Sequence, residues 1–346
     1  MYRGTYTLIG QEVSMFTRKL EAQLRYQRIP YQWQLKGKEN SAEIEARGGT
    51  RFIPLLQTPD GWCISDTIAL GPFLHQRFNN VPVLPETSAQ RGACFVLEDF
   101  FNHWLPRHAL HSRWCYPDNV DWIGKRFGMN LLLNKSIDDS LNDSEQRQVA
   151  NFGQYMFDAF GAAACEVQGA GPDKKQHIHN DFAKIVTILI EHFKHHDFLL
   201  GGRASLADFA LVGPIKGHFL LDPEPRGWLA DNISIIEQYV ERVWSGAHAS
   251  QSWLANDAIP DTVLPLFEHA VNTYQRFASS SLDAAAAGEK FFELDLGDGP
   301  FTARSMKRLE KARLHVQDEL LNCGAKNSRL SSYGIMDYYL RAPIIN

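Results

Sequence analysis

Cysteine is scarce in this chain and poorly spaced for chemistry. Cys63, Cys94, Cys115, Cys165 and Cys323 are five among 346 residues, an odd number with no C-x-x-C. A dithiol redox pair and half a zinc site are thereby excluded, and the expectation is reduced thiols with no structural metal. Long apolar runs are also lacking: stretches such as Ile185–Ile190 fall well short of the ~20 residues that a bilayer span needs. The N-terminus does not follow the basic-then-apolar plan of a signal peptide, so the expectation is a cytoplasmic protein with no membrane partner. Positive charge is not in excess. Lys and Arg number 35 against 40 Asp and Glu, a net charge of -5 that gives no field for polyphosphate, and nucleic acid is not an expected partner. Internal repeats and extended low-complexity tracts are missing too. What is present is a globular composition, 44% hydrophobic and 22% charged, in a chain long enough for at least two cores.

The first eighty residues alternate strand and helix. Thr5–Ile9 is short and β-rich, and from Met15 to Gln27 the residues Phe16, Leu20, Leu24 and Tyr26 recur near helical spacing behind Ser14, which stands where an N-cap belongs. Tyr31–Leu35 reads as a second strand, and Ser41–Arg47 as a short helix ended by Gly48-Gly49. The apolar runs Phe52–Thr58 and Trp62–Ile64 flank Pro59-Asp60-Gly61, a hairpin turn in which Pro presets φ, Asp bonds its own backbone and Gly accepts positive φ. Ser65-Asp66-Thr67 supplies caps for a helix over Ile68–Phe78. The order is β-α-β-α-β-β-α. Beyond the connector Val81–Pro85 the pattern predicts helices at Ala89–Trp104, Ser144–Phe160, Asp181–His195, Ser205–Phe219 and Ser234–Val243. A further segment predicts helices at Pro265–Ala278 and Ser305–Leu321, with a hairpin around Gly297-Asp298-Gly299 between them. Domains are expected at 1–80, 86–258 and 259–346.

Four stretches resemble the glutathione S-transferase family in the family's order. Ser14-Met15-Phe16-Thr17-Arg18-Lys19 is similar to its Ser/Cys-Pro-Phe-x-x-Arg/Lys helix start. Ile53-Pro54 resembles its Val-Pro, whose proline is cis. Asp60-Gly61 followed by Ser65-Asp66-Thr67-Ile68-Ala69-Leu70 resembles its D-G turn and Glu/Asp-Ser/Thr-x-A-I. Gly201-Gly202-Arg203-Ala204-Ser205-Leu206-Ala207-Asp208 resembles G-x-x-x-S-x-A-D. The resemblance spans roughly residues 5–255 and implies an α+β fold. A thioredoxin-like N-terminal domain would precede an all-helical C-terminal domain of the transferase type, here with an extension. It also implies glutathione as co-substrate, a small electrophile as second substrate, a homodimer and no metal.

The resemblance makes Ser14 catalytic and gives Phe16, Ile53, Pro54, Asp66 and Thr67 to glutathione. A hydroxyl at the N-terminus of a helix sits where the dipole and unpaired N–H groups favour an anion, here the glutathione thiolate. A thiol of pKa ~8.5 gains several-fold or more in nucleophile when its pKa falls by one or two units. From local sequence alone Ser14 reads equally as a plain N-cap, Pro54 as an edge-strand proline, and Ser65 or Thr67 as a cap. Ser205 and Asp208 are assigned to capping, away from ligand. The chain departs from the family's pattern at three places: Met15 replaces a proline, Gly10 stands where other members keep a catalytic tyrosine, and Phe52 replaces a basic residue. With Ser at position 14, mixed-disulfide chemistry is disfavoured.

Rings and bases crowd the stretch Phe100–Trp122. Trp104, Arg107, His108, Trp114 and Tyr116 are candidates for the acceptor site, with Arg107 or Arg113 suiting an anionic or carbonyl-bearing acceptor; the competing reading is a core cluster. His177, His179, His192, His195 and His196 follow no metal motif, and His192 with His196 reads as a solvated helix end. The leading expectation is an enzyme that conjugates glutathione to a small electrophile. The rivals are a non-catalytic binding or scaffold protein of the same fold, and a glutathione-dependent isomerase or reductase.

Overall fold

Residues Tyr6–Gly10 form strand β1, and their alternation assigns its two faces. Tyr6 and Leu8 join Leu56 on one side of the sheet, while Ile9 and Leu55 meet Ile44 on the other. In this computed structural model the described residues are 4–246 and 249–344, so residues 1–3, 247–248 and 345–346 of the expected domains lie outside the described residues. After β1 come α1 (Met15–Tyr26), β2 (Tyr31–Leu35), α2 (Ser41–Gly48), β3 (Leu55–Gln57), β4 (Cys63–Ser65) and α3 (Thr67–Arg77). The order is the one that turn chemistry and periodicity predict. β2 runs parallel to β1, β3 and β4 are antiparallel neighbours, and the sheet order is β2-β1-β3-β4. Leu20 and Leu24 of α1 and Leu70 and Leu74 of α3 cover the face of Tyr6 and Leu8. Burial of each such side chain stabilises by roughly 1.5–3 kcal/mol. Gly61, at φ +94, closes the β3–β4 turn as expected.

The helices that follow are α4 (Ser88–His103), α5 (Leu105–Trp114), α6 (Val120–Leu131), α7 (Asp143–Met156), α8 (Ala162–Glu166), α9 (Lys175–Phe193), α10 (Leu206–Pro214), α11 (Pro223–Leu229), α12 (Ile233–Ser245), α13 (Leu264–Ala270) and α14 (Arg276–Ala286). A hairpin of β5 (Phe291–Asp295) and β6 (Pro300–Arg304) precedes α15 (Arg308–Asn322) and α16 (Met336–Tyr339). π-helical turns lie at Phe157–Gly161, Ile215–Phe219 and Val271–Gln275. The fold is therefore α+β, a thioredoxin-like sheet domain followed by helices.

Two compact units emerge, each drawn from three stretches of chain. One holds Met1–Val83, Ser112–Gly161 and Phe209–Ser250; the other holds Leu84–His111, Ala162–Asp208 and Gln251–Asn346. Helices from residues 86–258 occur in both. In the second unit α15 lays Leu309, Val316 and Leu320 inward and packs on α4, and Gly92 of α4 leaves the space that Ala325, Leu330 and Leu320 fill. The extension is thus part of a core, through the apolar face that its sequence presents.

Candidate functional site

Strand register brings the candidate glutathione residues to one end of the sheet. Ile9 stands opposite Leu55, and Leu55 opposite Ser65. The segment leaving β1 toward Ser14, the Ile53-Pro54 entry to β3, and the exit from β4 into Asp66 and Thr67 are therefore neighbours at that end. The Ile53–Pro54 peptide is cis, as the family resemblance implies. Ile53 is half-buried, and neither its N–H nor its carbonyl makes a hydrogen bond among the described residues. Phe52, just before it, is 67% exposed, with the Arg51 guanidinium over its ring at 5.3 Å.

Ser14 is the N-cap of α1. Its backbone is extended, and Oγ accepts from the Thr17 N–H at 3.3 Å. The side chain is half-buried, and its hydroxyl hydrogen has no acceptor among the described residues. A cap uses only the oxygen lone pair, so the O–H is left to donate. Phe16, on the first turn, is half-buried. Gly10 admits no larger residue, because a Cβ there would lie 2.5 Å from the Thr17 side chain.

At α3 the cap is Asp66, not Ser65 or Thr67. Asp66 Oδ1 accepts from the Ile68 N–H at 3.0 Å, and the backbone there has φ +76 and ψ 103, outside the regions that L residues favour. Such strain costs of order 1–3 kcal/mol and concentrates at ligand-holding positions. Thr67 is buried beside it. Asp208 reaches back to the Ser205 N–H at 2.7 Å and accepts from the Leu199 N–H at 2.9 Å, a buried structural cap as its spacing predicts.

The proposed acceptor residues are placed differently from expectation. Trp104, Arg107 and His108 are sealed in the core of the second unit. Trp104 Nε1 and His108 Nε2 donate to one oxygen of Asp181 at 2.8 and 2.6 Å. Arg107 donates to the carbonyls of Gln168 and Gly169 at 2.9 and 3.1 Å, with its guanidinium 4.3 Å from the Trp104 ring centroid. Burial opposes ionisation of Asp181, but hydrogen bonds from His108 and His269 hold its carboxyl well below the ordinary range; burial lowers His108. Trp104 and His108 serve a buried carboxylate and Arg107 two backbone carbonyls, and all three side chains are buried. Trp114 is likewise core, against Phe127 and Phe157 in the first unit, whereas Tyr116 is half-buried and edge-on to Trp228. Burial and then Glu224 push the Tyr116 phenol up to about 12.

His192 does not lie at a solvated helix end. It is buried, donating from Nε2 to the Phe198 carbonyl at 3.1 Å and accepting at Nδ1 from the Thr262 hydroxyl at 2.8 Å. Among the described residues no group of three or more His, Cys, Asp or Glu is arranged to hold a metal ion, and no helix is long and apolar enough to cross a membrane.

Two contacts with the Ser14 turn have no signal in the sequence. The Glu12 carboxylate accepts from Asn130 Nδ2 at 3.1 Å, Ser136 Oγ at 3.0 Å and the Ile137 N–H at 2.8 Å. It borders a cavity of about 520 Å³ with Trp33, Gln34, Leu35, Asn134 and Ser136. From the other side Arg113 donates to the Val13 carbonyl at 2.8 Å. Both contacts join residues about a hundred positions apart, beyond the reach of local pattern.

Residues 174–245 match the family model of the glutathione S-transferase C-terminal domain. That helical segment is therefore similar to the C-terminal domain of the glutathione S-transferase family. Among solved structures, a glutathione S-transferase from Rhodospirillum rubrum F11 is similar at 16% identity and a TM-score of 0.45, over 75% of this chain and 98% of that one. The beta-etherase LigF from Sphingobium sp. strain SYK-6 is similar at 15% identity and a TM-score of 0.46, over 77% and 99%. A glutathione S-transferase from Methylobacterium radiotolerans in complex with glutathione sulfonate is similar at 13% identity and a TM-score of 0.38, over 75% and 99%. No curated protein sequence matches the chain.

Proposed function

We propose that the protein is a glutathione transferase that uses Ser14 to stabilise the thiolate of glutathione and adds that sulfur to a small electrophile. The observation that carries this reading is the Ser14 hydroxyl: its oxygen caps α1 while its hydrogen has no acceptor among the described residues. That hydrogen and the first-turn N–H groups suit an anionic sulfur. The thiol proton leaves to solvent, the sulfur lone pair forms the new bond to carbon, and the electrophile's leaving group or opened ring takes the electrons. Stabilisation and positioning of the thiolate supply the rate enhancement, with no covalent intermediate on the chain.

The free backbone at Ile53 fits the cysteinyl part of glutathione in antiparallel fashion. Asp66 and Thr67 fit its γ-glutamyl end, carboxylate to ammonium and hydroxyl to carboxylate. Arg51 offers a guanidinium near Phe52, where the family's basic residue is replaced. The decisive experiment is titration calorimetry with glutathione, followed by kinetics of Ser14→Ala on aryl halides, epoxides, unsaturated carbonyls and disulfides. Binding retained with kcat lowered at least tenfold is expected. Absence of binding by the unaltered protein at millimolar glutathione would replace this reading with a scaffold of the same fold.

A further inference from the structure

The turn that carries Ser14 is gripped by a buried ion pair. Arg113 is 2% exposed and Asp222 is fully buried. The guanidinium meets the carboxylate fork to fork, Nε to Oδ2 at 2.7 Å and Nη2 to Oδ1 at 3.1 Å. Its remaining reach is spent on backbone: Nη1 donates to the Val13 carbonyl at 2.8 Å and Nη2 to the Gly217 carbonyl. Arg113 therefore ties three pieces together: the Asp222 N-cap position of α11, the π-helical turn Ile215–Phe219, and the peptide group whose nitrogen belongs to Ser14. The two glycines of this stretch lie directly on the first turn of α1. A Cβ at Gly213 would stand 2.5 Å from the Met15 carbonyl oxygen, and one at Gly217 3.0 Å from the Met15 Cα. π-helical turns recur at functional sites. Arginine suits this post because its planar fork holds a carboxylate and still directs further donors at fixed angles, which lysine cannot do.

We propose that Arg113, held by Asp222, is a positioning residue for Ser14. By fixing the Val13 carbonyl it sets the direction in which the Ser14 side chain leaves the cap, and hence its alignment with an anion at the helix start. The consequence for glutathione rests on the transferase reading above; the positioning itself does not. Arg113 is thus turned away from the anionic acceptor that its place in the sequence suggests.

The test uses a thiol as a reporter at the position itself. In the full-length Ser14→Cys variant, the rate of iodoacetamide alkylation is followed against pH on the peptide that contains position 14, by mass spectrometry. Helix N-termini lower thiol pKa, so titration below ~8.5 is expected. Adding Arg113→Lys keeps the charge and removes the fork, and the expected result is an upward shift of roughly one pH unit. Adding Asp222→Asn instead, which loosens the anchor, should shift the titration the same way. Labelling of the buried Cys115, in the same compact unit, reports any opening of that core, so an unfolded variant is recognised and the other substitution decides. An unchanged titration in a folded Arg113→Lys or Asp222→Asn background would overturn the proposal. Calorimetry with glutathione on the unaltered protein, run beside it, sinks or supports only the transferase reading.

Discussion

Tyr339 donates its phenol hydrogen to Oδ2 of Asp99 at 2.8 Å across 240 positions of sequence, and Tyr274 donates to the same oxygen at 2.8 Å. All three side chains are buried. Burial and then the Asp99 charge drive both phenols well above their usual range, so they remain protonated donors. A hydrogen bond to a buried charge contributes about 1.5–3 kcal/mol. Tyr339→Phe should therefore lower stability by about that amount in urea titrations, and Tyr339→Phe with Tyr274→Phe should cost less than the sum, because the two share one acceptor. A Tyr339→Phe midpoint equal to that of the unaltered chain would show that this anchor contributes nothing.

The helical hairpin α6–α7 packs backbone on backbone. A Cβ added at Gly153 would lie 2.6 Å from the Gly124 Cα, and one at Gly128 would lie 2.7 Å from the Val149 side chain. Gly153→Ala thus has no flexible neighbour to push aside and should destabilise by about 1–3 kcal/mol, despite the higher helix propensity of alanine. Gly227→Ala, where nothing lies within 4 Å, is the matched control and should be neutral or stabilising. Equal denaturation midpoints for the two variants would refute the close approach.

What could be read from sequence was local. Pro59-Asp60-Gly61 and the spacing of Leu20 and Leu24 carry their structure within a few residues, so the sheet domain was legible, as was the hairpin around Gly297-Asp298-Gly299. α5 and α6 were not: α5 mixes rings, His and Arg on every face, because its polar side chains are buried on partners such as Asp181, Ala170 and Asp222, and a buried polar helix loses amphipathic periodicity. The same blindness explains the acceptor candidates. In sequence, Trp104, Arg107 and His108 fit an acceptor site or a core cluster, and what decides for the core, the Asp181 carboxylate and the Gln168–Gly169 carbonyls, lies more than sixty positions away.

His192 makes stability depend on pH. Burial lowers its pKa to about 4, against about 6.5 in an unfolded chain. The unfolded state therefore binds the extra proton over that interval, and stability, full above about pH 6.5, is lost as pH falls toward 4. His192→Gln can still accept from Thr262 and donate to the Phe198 carbonyl without titrating. The unaltered chain should lose about 2 kcal/mol more than this variant between roughly pH 7 and pH 5, by urea titration. Parallel pH profiles would contradict the buried neutral imidazole.

On the proposed transferase reading, Asp66 would separate folding from ligand recognition, because its backbone is strained and its carboxylate would both cap α3 and meet the glutathione ammonium. Asp66→Gly removes the carboxylate, relieves a conformation at φ +76 that costs of order 1–3 kcal/mol for a non-glycine residue, and sacrifices only a few tenths of a kcal/mol of capping. Stability should accordingly hold or rise. Glutathione affinity should fall, because an ammonium loses its carboxylate, by roughly tenfold to a hundredfold. Thermal melts and calorimetry on the one variant read the two effects apart. A variant that melts lower and binds glutathione as before would make Asp66 a cap and nothing else.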